Sequence, residues 1–306
     1  MRYILAAVLV MSSLHAQTQT NVPRPHLPGL AHVAFRVSDM PRTLAFYENL
    51  LGYQEPFSLN SDNGKPTISF IKVNDLQYVE LFPGDARSQG QLDHFALYTD
   101  DLTAMRAYLS AQKVPIVEDI HQGRIGNSFL TIRDPDGHPV EILQYSKTSL
   151  TARSQGKFMP TSRVSSHITH VGILVSSVGS AMKFYRDMLG FREFFRGAGG
   201  GDGQPGWVDL QIPDGSDYIE LIPYSGVPTP VYLKAQNHFS LVSSDVQKTI
   251  ASLQTRATMG LLTSSLNVEN GGNLPPRTNL FDPDGARVEI MEPMSAVASA
   301  VATSYP

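Results

Sequence analysis

HVAFRVSDMPRTLAFYENLLGYQ, residues 32–54, aligns without a gap on HVGILVSSVGSAMKFYRDMLGFR, residues 170–192. His, Val, Phe-Tyr, Leu-Gly and a closing aromatic coincide, so the chain contains an internal repeat. Each copy opens with an apolar run rich in β-branched residues, the composition of a strand. Ser38-Asp39 and Ser176-Ser177 follow as helix caps, and Pro41 suits the first turn of a helix. Leu44, Tyr47 and Leu51 recur at helical spacing, as do Met182, Tyr185 and Leu189. Gly52 and Gly190 supply the helix stop.

Two more segments carry the same plan, DHFALYTDDLTAMRAYL from Asp93 and NHFSLVSSDVQKTIASL from Asn237. Their helical faces are Leu102, Met105 and Leu109, and Val246, Ile250 and Leu253. Three strand-like runs follow each helix. The first and third units close on YVELFP and YIELIP, the second and fourth on DPDGHPVEILQ and DPDGARVEIME. Asp-Pro-Asp-Gly is a turn signal between two strands. The unit is βαβββ, repeated over 30–84, 92–145, 167–223 and 236–292. The expected architecture is α+β: modules paired into two cup-shaped open barrels, domains 30–145 and 167–292, with 146–166 as linker.

Within this repeat His32, Glu80, His94 and Glu141 match His170, Glu220, His238 and Glu289, at offsets of 138, 140, 144 and 148 residues. The chain has nine His and ten Glu, so four of each on equivalent positions is a poor match to chance. Strand side chains alternate between faces. If His32 faces inward, so do Ala34 and Arg36, while Val33, Phe35 and Val37 pack under the helix. By the same alternation Glu80 lies between Val79 and Leu81, and Glu141 between Val140 and Ile142. A buried carboxylate flanked by apolar residues needs a partner. Two imidazoles and two carboxylates suit nickel, cobalt, manganese, iron or zinc. Arg36 is a candidate substrate-binding residue, able to pair with a carboxylate; its counterpart is Leu174. Trp207 and Tyr218 are candidates for an apolar wall.

A net charge of −4 and the lack of a basic run give no reason to expect nucleic acid as a partner. Residues 1–16 read as a Sec-type signal: Arg2, an apolar run from Tyr3 to Met11, and a cleavage point after Ala16. The expectation is a secreted or periplasmic protein, free of the membrane once the signal is removed, monomeric or a homodimer, acting on a small molecule. Residues 17–29 read as a flexible lead-in and 293–306 as a loose tail. The absence of Cys excludes disulfides.

Residues 30–292 resemble the vicinal oxygen chelate superfamily, which includes glyoxalase I, extradiol dioxygenases and bleomycin-resistance proteins. The run from His32 and both Asp-Pro-Asp-Gly-x3-Glu closures are similar to bacterial glyoxalase I. The resemblance implies that all eight His and Glu are metal ligands, and that Glu141 and Glu289 are catalytic bases. It leaves open whether modules pair first with second and third with fourth, or first with fourth and second with third. With two His and two Glu, two open positions on the ion suit a substrate chelating through neighbouring oxygens, and lyase or isomerase chemistry leads. An extradiol dioxygenase is the alternative. Its relatives use a further His near the closing hairpin, and GRIGNSFLTIRDPDG and GGNLPPRTNLFDPDG contain none, with His121 a little upstream. A non-catalytic, resistance-type binding protein is the third reading.

Overall fold

A computed structural model describes residues 22–84, 92–198, 205–256, 260–262, 264–270 and 274–294. The expected signal, the first part of the lead-in and nearly all of the tail lie outside the described residues. The first sheet runs β2 (Gln54–Asn60), β3 (Pro66–Lys72), β4 (Tyr78–Pro83), β1 (Gly29–Val37), β5 (Leu92–Tyr98), β8 (Pro139–Gln144), β7 (Ser128–Arg133) and β6 (Ile116–Gln122). The second runs β10 (Arg192–Gly197), β11 (Trp207–Gln211), β12 (Tyr218–Pro223), β9 (Ile168–Val175), β13 (His238–Val242), β15 (Arg287–Met291) and β14 (Arg277–Phe281). Adjacent modules therefore share a sheet, first with second and third with fourth. Within each sheet the opening strands of the two modules pair antiparallel, β1 with β5 and β9 with β13.

The helices begin as the capping signals predict. Asp39 accepts from the Arg42 amide at 3.1 Å to start α1 (Met40–Ala45), and Ser177 accepts from the Ser180 amide at 3.2 Å to start α4 (Val178–Met182). Both then widen into π turns, Phe46–Leu50 and Lys183–Met188, marked by the Leu51 amide reaching Phe46 O and the Leu189 amide reaching Phe184 O, each at 3.1 Å. In this wide turn the consecutive aromatics Phe46-Tyr47 and Phe184-Tyr185 are all buried. Simple helical spacing does not foresee that. Gly52 and Gly190 end these segments at φ 78° and 82°, a conformation that disfavours a Cβ.

The fourth module departs from βαβββ. After α6 (Val246–Arg256) only β14 and β15 are strands among the described residues, with Glu269 making an isolated bridge to Arg277. The intervening sequence is rich in Ser, Asn, Gly and Pro, which pack poorly on a sheet or lack the amide a ladder needs.

Apolar residues of both halves merge into one core, in which Phe35 of β1 meets Phe239 of β13 with ring centres 5.7 Å apart. By strand alternation the His and Glu faces look away from it. The Asp-Pro-Asp-Gly turns do more than reverse the chain. Asp134 accepts from Tyr185 OH at 3.0 Å and Asp136 from the Ser176 amide at 2.9 Å; Asp284 of the other turn takes the Ser38 amide at 2.8 Å. Each turn thus clasps the opposite half.

Residues 22–28 of the expected flexible lead-in are packed, and so is part of the linker. In residues 22–28 Leu27 is buried, its amide donates to Asp214 at 2.8 Å, and Arg24 pairs with the same carboxylate at 2.5 Å. The linker folds into α3 (Leu150–Arg153), and Ser154 O accepts from the buried Lys72 at 2.5 Å. Among the described residues no helix is long and apolar enough to cross a membrane.

Candidate metal centre

In the first cup β1 delivers His32, β4 Glu80, β5 His94 and β8 Glu141. The Nε2 atoms of His32 and His94 are 3.0 Å apart, and Glu141 lies 3.4 Å from His32 Nε2 and 3.6 Å from His94 Nε2. Glu80 approaches the other nitrogen of His32, Nδ1, at 3.4 Å. His94 donates its Nδ1–H to Asp93 at 2.9 Å, and Asp93 is held in turn by Arg36 Nε at 2.6 Å. That bond fixes the tautomer and leaves the Nε2 lone pair of His94 facing the group.

Burial raises the Glu80 carboxyl, with His32 and His94 offsetting part of the rise. Burial also pushes on Glu141, but the hydrogen bond from His32 and the charge of His94 hold it below its usual range. His94 is pulled down by burial and raised overall by Asp93 and the two glutamates. Two imidazoles, the buried Glu80 and the half-buried Glu141 gather in one cluster, and the nearby Arg36 is spent on Asp93 instead of on these carboxylates. The donor set fits a first-row divalent ion, with His32, His94 and Glu141 mutually within 4.8 Å.

The cluster lies on a cavity of about 500 Å³ walled by aromatic and aliphatic side chains, among them Phe70, Tyr78, Phe82, Phe129 and Tyr145. His121, upstream of the closing hairpin, also faces this cavity and packs on Phe129 with ring centres 4.2 Å apart. Arg36 reaches the cavity only through its partners: it pairs with Asp93 and lies over Phe82, 5.6 Å from the ring centre.

The second cup repeats the ligands and alters their surroundings. His170 and His238 face each other at 3.1 Å between Nε2 atoms, Glu289 lies 3.4 Å from His170 Nε2, and Glu220 lies 3.8 Å from His238 Nε2. Here His238 Nδ1 meets Gln236 O at 2.7 Å. Arg287 Nη2 lies 2.6 Å from His238 Nδ1 and 3.0 Å from Nε2, and Arg277 Nε lies 3.6 Å from Glu289. Burial pulls His170 down to about 3, helped by both arginines, and burial with the Glu289 charge pushes Glu220 up to about 7. Asp209, buried beside them, is pushed well above the carboxylate range, first by burial and then by Glu220. The cavity is about 180 Å³. Trp207 and Tyr218 both line it, and Tyr218 stacks on His170 at 4.5 Å.

The sequence pattern of the Glyoxalase/Bleomycin resistance protein/Dioxygenase superfamily matches residues 29–142 and again residues 167–290. The chain belongs to this superfamily. Among superfamily relatives, Metapyrocatechase 2 of Cupriavidus necator is 25% identical over 195 residues, 59% of this chain and 58% of that protein. The fold is similar to the 2,3-dioxygenase LapB from Pseudomonas sp. KL28, with a TM-score of 0.66 at 14% identity, over 89% of this chain and 94% of that one. It is also similar to a Mn(II)-bound glyoxalase from Novosphingobium aromaticivorans, with a TM-score of 0.64 at 17% identity, over 88% and 83% of the two chains.

The eight ligand-type residues were legible in the sequence; Asp93, Asp209, Arg277 and Arg287 were missed. One signal was present. Arg287 stands two residues before Glu289, so alternation puts both on the same face. Asp93 acts on its own neighbour His94, which strand alternation would send to the other face, and Arg277 acts across strands on Glu289; no local spacing announces either.

Proposed function

We propose that this chain is a metal-dependent enzyme whose first cup takes a substrate with neighbouring oxygens and moves a proton from carbon, the chemistry of a glyoxalase-like lyase or isomerase. One observation carries it: a second buried carboxylate, Glu80, accompanies the His32–His94–Glu141 group, more carboxylate than a two-His, one-carboxylate centre requires. His32, His94 and Glu141 hold the ion, with Glu80 beside them. A divalent ion there supplies Lewis acidity toward the two substrate oxygens. The wall of Phe70, Phe82 and Phe129 keeps water from the acidic carbon. Both oxygens of Glu141 face imidazole nitrogens. Glu80 touches only His32 Nδ1, so it is the better placed of the two to accept the proton, although the family resemblance implies Glu141.

The pair of variants Glu80→Gln and Glu141→Gln separates these roles. Glu80→Gln should keep the ion and lose about 100-fold or more in kcat, whereas Glu141→Gln should lose the ion. Retention of the ion with loss of turnover in Glu141→Gln would return the base to Glu141.

Ring cleavage is the second reading, favoured by the three groups that converge on the Nε2 side and by His121 in the cavity wall. Turnover that persists without oxygen supports proton transfer; catechol-dependent oxygen uptake by the Fe(II)-loaded protein supports cleavage.

Export through residues 1–16 is part of the same proposal, and a mature N-terminus at Gln17 would test it. Outside the cytoplasm a glutathione adduct is a poor candidate substrate.

A further inference from the structure

The two cups match at their ligands and part at three neighbouring positions. Phe70 pairs across the sheet with Glu80, and Asp209 holds that place opposite Glu220. Phe129 pairs with Leu143, two residues beyond Glu141; Arg277 pairs with Met291, two residues beyond Glu289. Pro139 precedes Glu141 by two residues, and Arg287 precedes Glu289 by two. Three apolar wall positions of the first cup are therefore a carboxylate and two guanidiniums in the second.

Those guanidiniums stand among the ligands. Arg287 Nη2 contacts both ring nitrogens of His238, at 2.6 and 3.0 Å, and so covers the lone pair that would face an ion. Arg277 lies 3.6 Å from Glu289. The backbone has made room for this. A Cβ on Gly172 would come within 2.0 Å of His238 Cε1, so the ring lies where the methyl group of the equivalent Ala34 stands in the first cup. An arginine cannot shed its proton to relieve crowding by a second positive charge, and at a few ångströms inside a protein such repulsion is weakly screened. His170, Glu220 and His238 still offer ligand atoms mutually within 4.8 Å, but the guanidinium on the ring nitrogens of His238 and the one beside Glu289 set positive charge where an ion would sit.

We propose that Arg277 and Arg287 take the place of the ion in the second cup, so that the chain carries one divalent metal, in the first cup, despite two complete ligand sets. This rests on the metal reading of the first cup given above.

The test is metal content per chain of the full protein, reconstituted in turn with Mn(II), Ni(II) and Zn(II) and freed of excess ion by gel filtration. One equivalent in the wild type, none in His94→Ala and one in His238→Ala is the expected result. Arg277→Phe/Arg287→Pro, which installs the first cup's own residues, should rise to two. Two equivalents in the wild type, or an ion kept by His94→Ala and lost by His238→Ala, overturns the proposal while leaving a metal protein. A double variant that folds and stays at one equivalent also overturns it, because the arginines are then not what excludes the ion. If the double variant does not fold, the wild type and the two His variants decide alone. No metal in any form removes the first-cup reading as well.

Discussion

Asp93 takes the Nδ1–H of His94 and is itself clamped by Arg36, so one imidazole of the first cup is held through two successive carboxylate contacts. The second cup gives His238 a backbone carbonyl instead, and Asn237, in the place of Asp93, accepts from the Leu174 amide at 2.9 Å. Replacing a carboxylate that orients a metal-bound histidine costs roughly 10–100-fold in metal affinity. Asp93→Asn should therefore weaken metal binding by about that factor, read by competition with a chromogenic chelator, and Asn237→Ala should leave it alone. An unchanged affinity in Asp93→Asn would mean that packing already fixes the ring. At this scale the sequence was legible where the residues repeat; where they differ, alternation set Arg287 on the face of Glu289 but did not say what it does there. His and Glu on matched strands announced themselves. Asp209, Arg277 and Arg287 stand on positions whose first-cup equivalents are Phe70, Phe129 and Pro139, and no periodicity distinguishes a wall residue from an intruder.

Among the elements, the strands and helix starts followed from alternation and caps, because those signals are local. The helix ends did not. A π turn buries Phe46 beside Tyr47 and Phe184 beside Tyr185, a pattern that 3.6-residue spacing does not produce. The Asp-Pro-Asp-Gly turns were recognisable as turns, but their second use depends on where the other half lies. Tyr185→Phe removes the hydrogen bond from its hydroxyl to Asp134 and should cost about 1 kcal/mol in a urea melt. Lys72, at the end of β3, pairs with Asp75 at 2.6 Å and donates to Ser154 O of the linker. Lys72→Met removes both bonds and should cost about 2 kcal/mol, Asp75 being partly exposed and able to find water. A neutral result there would show that the other ties of the linker, Tyr78 OH to Ser154 Oγ at 3.0 Å and the Gly156 amide to Asp75 at 2.9 Å, suffice.

For the molecule as a whole, the shared core predicts one unfolding transition. An ion bound at 1,000 times its dissociation constant would add about 4 kcal/mol to that single transition. Two separate transitions, only one moved by metal, would show that the halves unfold independently. Acid should act on the chelator-treated protein through the second cup. His170 has a folded pKa of about 3, below the ordinary 6.5, so between those values the unfolded chain takes a proton that the native state refuses, and stability falls as pH falls. Glu220 works the other way between its ordinary 4.5 and about 7, where the native state holds a proton that the unfolded chain has lost. The two nearly cancel between pH 6.5 and 4.5. Below 4.5 the His170 contribution continues, joined by His238, which burial and Arg287 hold well below its ordinary value. Carboxylates held low, such as Glu141 and Asp93, add to it, so the midpoint temperature should drop steeply. His170→Gln should make that drop shallower; an unaltered slope would assign it to the other groups.

The second half is anchored by its back. Phe239, next to His238 and on the opposite face of β13, packs on Phe35, and the clasp on Ser38 and the pinned segment ahead of β1 add further ties between the halves. The bowl is consequently spare ground: its wall can be rebuilt, as its guanidiniums already differ from the aromatic lining opposite, without loosening the seam that keeps the first half folded. For an engineer this is a second, independently adjustable receptacle on a scaffold whose first cup stays intact.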